Sequence, residues 1–215
     1  MGLVYPGVPS DLAMMLQREI SAVDFVETGT FHGKTAFWAS QHFTQVYTIE
    51  RSTTIYERAI ATYGKVANIS FLQGDSREQL RALQPKLLRP ALFWLDAHWS
   101  AGETYGAGDE CPLLEEITSI DAGRPDHVLL IDDARLFLAP PPRPHRPEQW
   151  PNIVQVIEAL TARLPERLVV VIGDVLVAVP PSCGPALTNY CQEVATVHWA
   201  TRRAPRSRWP FFTRK

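Results

Sequence analysis

The sequence is poor in cysteine, in net charge and in long apolar runs, and each shortage excludes something. Its three cysteines, Cys111, Cys183 and Cys191, are odd in number and scattered through 215 residues. They do not make a disulfide framework, and their spacing contains no C-x-x-C or zinc-ribbon pattern. They read as ordinary buried or half-buried thiols. The 21 Lys and Arg against 23 Asp and Glu leave a formal net charge of −2. That balance argues against a protein built around nucleic acid or an anionic membrane surface. No apolar run approaches the roughly 18–20 residues that span a bilayer. Residues 1–10 lack the basic start and apolar stretch of a secretory signal, so a cytoplasmic protein is expected.

What is there points to one globular α/β domain. Hydrophobic residues make up 46% and charged residues 20%, a soluble balance, and the length suits one core. Short apolar runs at residues 24–27, 46–50, 69–72, 91–96 and 127–132 read as strands. Helical patterns at 35–41, 77–83 and 113–120 alternate with them, as does one that Ser52 can cap and that carries Ile55, Ala59 and Tyr63 on one face. Nearly continuous apolar strands separated by helices imply a parallel sheet covered on both sides. Residues 140–151 hold six prolines, which rules out a helix or central strand there. A surface loop is expected, either a stiff connector or a substrate gate. A helix over 153–164 follows, and then residues 168–172 and 175–179 flank Gly173-Asp174 as a hairpin. Residues 1–200 are read as the domain. Residues 201–215 are read as a basic, aromatic tail without an acid, either a contact surface or a solvated end.

The chemistry is expected at the strand ends. Glu27, Glu50, Asp96 and the pair Asp132-Asp133 each close a strand, and Asp75 closely follows another. In a parallel sheet these ends share one edge, where ligands of open α/β sheets bind. Ionised carboxylates there are costly unless they meet a ligand, a cation or hydrogen-bond donors. After the first strand, Gly29 and Gly33 let the backbone turn tightly near a ligand, with Thr30 and Phe31 between them. The loop lacks the full dinucleotide fingerprint, and it is one residue short of a P-loop. Glu50 can accept hydrogen bonds from both hydroxyls of a ribose, and Asp75 with Ser76 suits an adenine edge. The order of these groups fits an adenosine ligand.

At Glu27-x-Gly29-x-x-x-Gly33, Tyr47-Thr48-Ile49-Glu50 and Gly74-Asp75-Ser76 the sequence resembles the class I S-adenosylmethionine (SAM)-dependent methyltransferases. Phe93-Trp94-Leu95-Asp96-x-His98-Trp99 and Leu130-Ile131-Asp132-Asp133 are similar to the metal-binding strand ends of catechol-type and macrocin-type O-methyltransferases. The resemblance spans residues 25–137. It implies a Rossmann-like, doubly wound, mostly parallel seven-stranded sheet with a C-terminal antiparallel hairpin. It further implies that Glu27 and Gly29 lie beside the methionine part of the cofactor, with Thr30, Phe31 and Gly33 in the same loop. Glu50 would hold the ribose, and Asp75 and Ser76 would face the adenine. Asp96, Asp132 and Asp133 would hold Mg²⁺ or Mn²⁺. The chain departs from the pattern in three places. Asp133 stands where Asn is frequent, no Lys lies between Asp96 and Asp133, and residues 97–111 form a long glycine-containing segment suggestive of a different substrate lid.

The expected reaction is metal-assisted methylation of a hydroxyl on a small-molecule acceptor, with a homo-oligomer allowed for. A cation on three carboxylates would lower the pKa of the acceptor hydroxyl, and His98 is the leading base or additional ligand, beside Asp96. His32 could touch the cofactor. Asp109, Glu110, Glu115 and Glu116 read as a solvated helix start. Trp94 reads as core. Two other readings fit the same residues: a metal-dependent hydrolase using the Asp and His cluster, and a non-catalytic binding protein on this fold.

Overall fold

A computed structural model describes residue 5, residues 7–99, residue 106 and residues 108–203. In chain order the elements are α1 (Ser10–Ile20), β1 (Asp24–Thr28), α2 (Lys34–Ser40), β2 (Gln45–Glu50), α3 (Thr53–Tyr63), β3 (Ile69–Gln73), α4 (Ser76–Leu83) and β4 (Ala91–Leu95). They continue with α5 (Leu113–Asp121), β5 (Val128–Ile131), α6 (Arg135–Leu138), α7 (Ile153–Thr161), β6 (Leu168–Ile172), β7 (Val175–Val179) and α8 (Gly184–Arg203). The expected strands and helices all form, with ends shifted by a few residues.

The described residues build a seven-stranded sheet in the order β3-β2-β1-β4-β5-β7-β6. Strands β1 to β5 are mutually parallel. Strand β7 runs antiparallel to both β5 and β6, so the hairpin inserts its second strand beside β5. Its turn residues, Gly173 and Asp174, both have positive φ, 60° and 70°, as the favoured two-residue hairpin turn requires.

Alternation along each strand divides the core into two layers. Val26, Phe93, Leu95, Leu129 and Ile131 face α4, α5 and α7 through Leu80, Ile117, Val156 and Leu160. Phe25, Leu92, Trp94, Val128 and Leu130 face α1, α2 and α8 through Leu12, Leu16, Ala36 and Leu187. Burying each such large apolar side chain stabilises the fold by about 1.5–3 kcal/mol. Ser52 caps α3 as expected, accepting from Ile55 N. The helices α1, α6 and α8 have no counterpart in the sequence reading. The basic stretch expected from Thr201 begins inside α8, and residues 204–215 lie outside the described residues. Among the described residues no helix is long and apolar enough to cross a membrane.

One core group makes the fold sensitive to acid. His127 is fully buried, and its Nδ1 accepts from Ala91 N at 3.0 Å. The ring is therefore neutral, and burial pulls its pKa down to about 4. The unfolded chain takes up this proton near 6.5, before the folded one does. The contribution of neutral His127 is thus present above pH 6.5 and is lost as pH falls toward 4, by about 3 kcal/mol in all. Urea denaturation at pH 7 and pH 4.5 should show this loss, and His127→Gln should flatten the difference.

Candidate functional site

The parallel strands point their C-terminal ends to one edge, and a crevice runs along it. After β3 the wall is Gly74, Asp75 and Ser76; at the end of β2 it is Ile49, Glu50 and Arg51. After β1 come Gly29 and Phe31, and after β4 come Asp96, Ala97 and His98, with Asp109 and Pro112 closing the outer side. Adjacent strands β3, β2, β1 and β4 thus contribute in spatial order.

The loop after β1 is pinned between its neighbours. Gly29 N and Thr30 N donate to Ile49 O at 3.0 and 3.2 Å, while Asp96 N donates to Thr28 O at 3.1 Å. Gly29 has φ 83°, and a Cβ there would lie 2.3 Å from the Asp96 carbonyl oxygen. Only glycine lets β1 and β4 approach this closely. Phe31 also has a positive φ, 45°. That conformation is costly for a non-glycine residue, and it aims Phe31 N at Glu50 Oε2, 3.1 Å away. Ser52 N donates to the other oxygen, Oε1, at 2.8 Å. Glu50 is only 8% exposed. Burial raises its pKa, and the backbone N–H groups of Ser52, Phe31 and Arg51 work against that rise. Each carboxylate oxygen still has acceptor capacity for a ligand hydroxyl.

Glu27 does not line the crevice. It is buried behind it, and Thr48 Oγ1 donates to its Oε2 at 2.5 Å. Burial, with Asp96 and Glu50 nearby, pushes its pKa up to about 8, so it is mostly neutral at pH 7. Thr30 lies in the same buried network, 2.6 Å from the Thr48 hydroxyl. Gly33 sits at the start of α2 against the Tyr63 ring. His32 is exposed and packs on Phe31.

At the β4 end, His98 Nε2 lies 3.1 Å from Asp133 Oδ2, and Nδ1 lies 3.4 Å from Asp96 Oδ1. Burial is the largest influence on His98 and lowers its pKa, but Asp133 and Asp96 more than offset it and leave it raised. Burial pushes Asp96 up to about 7 and Asp132 up to about 6. The imidazole therefore stands between two of the three carboxylates expected to hold a cation. Asp133 is also bonded by Arg135 Nη1 at 2.5 Å, and Asp132 Oδ1 accepts from Asp133 N at 2.8 Å. Among the described residues no group of three or more His, Cys, Asp or Glu side chains could hold a metal ion. Asp133 is turned to His98 and Arg135 and Asp132 to a backbone N–H, and a divalent cation on the three carboxylates is not shown.

Sequence reading missed Arg51 and misjudged two of the four acids around the start of α5, while Glu115 is exposed as expected. Asp109 lines the crevice and is paired with Arg77 Nη2 at 2.6 Å. Glu110 and Glu116 are buried, 0% and 1% exposed, rather than solvated. Glu110 accepts from Arg146 N and Trp150 Nε1 at 3.0 and 2.8 Å, which ties the proline-rich loop to the segment after β4. The first-turn preference for acids is real, but here loop donors 36 and 40 positions away claim the carboxylate. The candidate lid at residues 97–111 lies partly outside the described residues. Trp94 is core as expected, 1% exposed.

No protein-family model and no curated protein matches the chain in sequence. Solved structures do match it in shape. A Staphylococcus aureus protein described as a caffeoyl-CoA O-methyltransferase superposes with a TM-score of 0.54 at 16% identity, covering 79% of this chain and 81% of that one. The precorrin-6y C5,15-methyltransferase from Geobacter metallireducens GS-15 gives 0.51 at 12% identity, over 82% and 90%. A Nostoc punctiforme protein described as an O-methyltransferase gives 0.50 at 12% identity, over 80% of this chain and 55% of that one. At these identities the likeness speaks for architecture. Strand order, the antiparallel last pair and the crevice at the strand ends agree with it: the chain has the Rossmann-like fold of the class I methyltransferases.

Proposed function

We propose that the protein is a SAM-dependent methyltransferase that methylates a hydroxyl group of a small-molecule acceptor. The observation that carries this reading is Glu50. It is a nearly buried carboxylate at the end of β2, held open by two backbone N–H groups between the glycine loop and the Gly74–Ser76 turn. A buried acceptor in that place suits vicinal ribose hydroxyls. Asp75 and Ser76 wall the base end, and Gly29 with Phe31 flanks the middle. SAM supplies a methyl group on a sulfonium, which needs an aligned, deprotonated acceptor oxygen.

The chain's own residues can meet that need at the β4 end. His98 Nε2 donates to Asp133, which fixes the ring and leaves Nδ1 as the proton acceptor. Its 3.4 Å separation from Asp96 Oδ1 is longer than a normal hydrogen bond, so Nδ1 can accept from an incoming hydroxyl. Its O–H proton passes to Nδ1 while the oxygen–carbon bond forms and the sulfur–carbon bond breaks.

Because Asp133 is committed to His98 and Arg135, methyl transfer should persist in EDTA. Loss of turnover in EDTA, restored by Mg²⁺, would return Asp96, Asp132 and Asp133 to a cation and contradict the base assigned here. The hydrolase alternative needs that same cation and leaves Glu50 unexplained. Calorimetric titration with S-adenosylhomocysteine tests the main reading. The wild type should bind, and Glu50→Ala should weaken binding by about 10–100-fold. No binding at millimolar ligand would overturn it.

A further inference from the structure

Asp75 is the acid that sequence reasoning aims at the adenine, yet its carboxylate is already engaged by two guanidinium groups. Oδ1 accepts from Arg77 N at 2.9 Å and from Arg77 Nε at 2.8 Å. Oδ2 accepts from Arg77 Nη2 at 2.6 Å and lies 3.1 Å from Arg51 Nη1. A carboxylate offers about four lone-pair sites; Arg77 fills three with hydrogen bonds, and the Arg51 guanidinium pairs with the carboxylate beside them. The exocyclic amino group of a base would compete there with two guanidinium groups, and charge-assisted bonds of this kind are the stronger ones.

We propose that Asp75 is a positioning residue and that Arg51, which it holds, is the platform on which the base of the bound nucleoside lies. The inference rests on the reading of the crevice as a nucleoside site. Arg51 directly follows Glu50 and lines the crevice at its β3 end. Its Nη1 is held from two sides, by Asp75 and by Asp109 Oδ2 at 3.5 Å. These carboxylates come from different parts of the chain, so the guanidinium is fixed before any ligand arrives. A base attached to a ribose on Glu50 extends toward the Gly74–Ser76 turn and therefore passes Arg51. A guanidinium is planar and weakly hydrated and stacks on aromatic faces, whereas an ammonium does not offer that plane. Base selection would then follow the π-face and ring shape rather than the amino group.

The test uses the full chain and two nucleosides that differ only in the exocyclic amino group, adenosine and purine riboside. Each competes against S-adenosylhomocysteine for the wild type, Arg51→Lys, Arg51→Ala and Asp75→Asn, with thermal denaturation confirming that each variant is folded. The two nucleosides should bind the wild type within about threefold of each other. Arg51→Lys and Arg51→Ala should weaken both by about tenfold, and Asp75→Asn should weaken both without changing their ratio. Purine riboside binding more than tenfold worse than adenosine, with the gap closing in Asp75→Asn, would overturn the proposal. So would Arg51 variants that bind like the wild type. A wild type that binds neither nucleoside nor S-adenosylhomocysteine would overturn the nucleoside reading as well.

Discussion

Replacing His98 with Ala is expected to slow methyl transfer by about 10²–10⁴-fold and to leave the affinity for S-adenosylhomocysteine within about threefold. The split follows from position. His98 lines the β4 end of the crevice, while Glu50 and the Gly74–Ser76 turn lie toward β3. Removing the imidazole takes away the proton acceptor without touching the groups that hold the nucleoside. Asp133→Asn should have a smaller effect in the same direction, because it loosens the ring that Asp133 fixes from Nε2. The measurement is single-turnover consumption of SAM with whichever hydroxyl acceptor, from a panel of phenols and sugars, the wild type methylates. A His98→Ala variant within threefold of wild type would remove His98 from the chemistry.

Asp121→Ala is expected to destabilise the protein by about 3–5 kcal/mol. The Arg167 side chain is fully buried, and its Nη2 and Nη1 reach Asp121 at 3.0 and 3.3 Å. Its other bonds go to the carbonyls of Leu160 and Pro125. Those neutral acceptors cannot balance a cation, so removing Asp121 leaves an uncompensated buried charge between α5, α7 and the start of β6. The double variant Asp121→Leu/Arg167→Met should recover most of the loss, since replacing both partners removes the charge altogether. Equilibrium urea denaturation reads both effects. A loss below about 1 kcal/mol for the single variant would show that the pair is solvated.

The fold was legible where burial on both sides of a strand forces a continuous apolar run, as in Ala91–Leu95 and Val128–Ile131, which are buried throughout. The hairpin was legible because Gly173-Asp174 is a turn signal with a conformational cause. Helix α8 was not, because it buries little: Leu187 is in the core, while Val197 and Trp199 are exposed. Its sequence therefore carries no clear apolar stripe.

The same physical distinction runs through the site. Acids at strand ends stand out because an unpaired charge there is expensive, and Glu50, Asp75 and Asp96 do reach one crevice. Arg51 and Asp109 look like ordinary surface charges in sequence. What places them at the site is an ion-pair network linking positions 51, 75, 77 and 109. No local pattern encodes such long-range pairing. Glu27 shows the opposite case: its place in the motif is as expected, but Thr48 turns its carboxyl away from the crevice wall.

The deciding measurement is a crystal structure of the protein with S-adenosylhomocysteine bound. Both ribose hydroxyls should lie within hydrogen-bonding distance of the Glu50 carboxylate, with the thioether sulfur turned toward Asp96 and His98. Ligand density on another face of the sheet, or a ribose held by groups other than Glu50, would contradict the nucleoside site and the chemistry built on it.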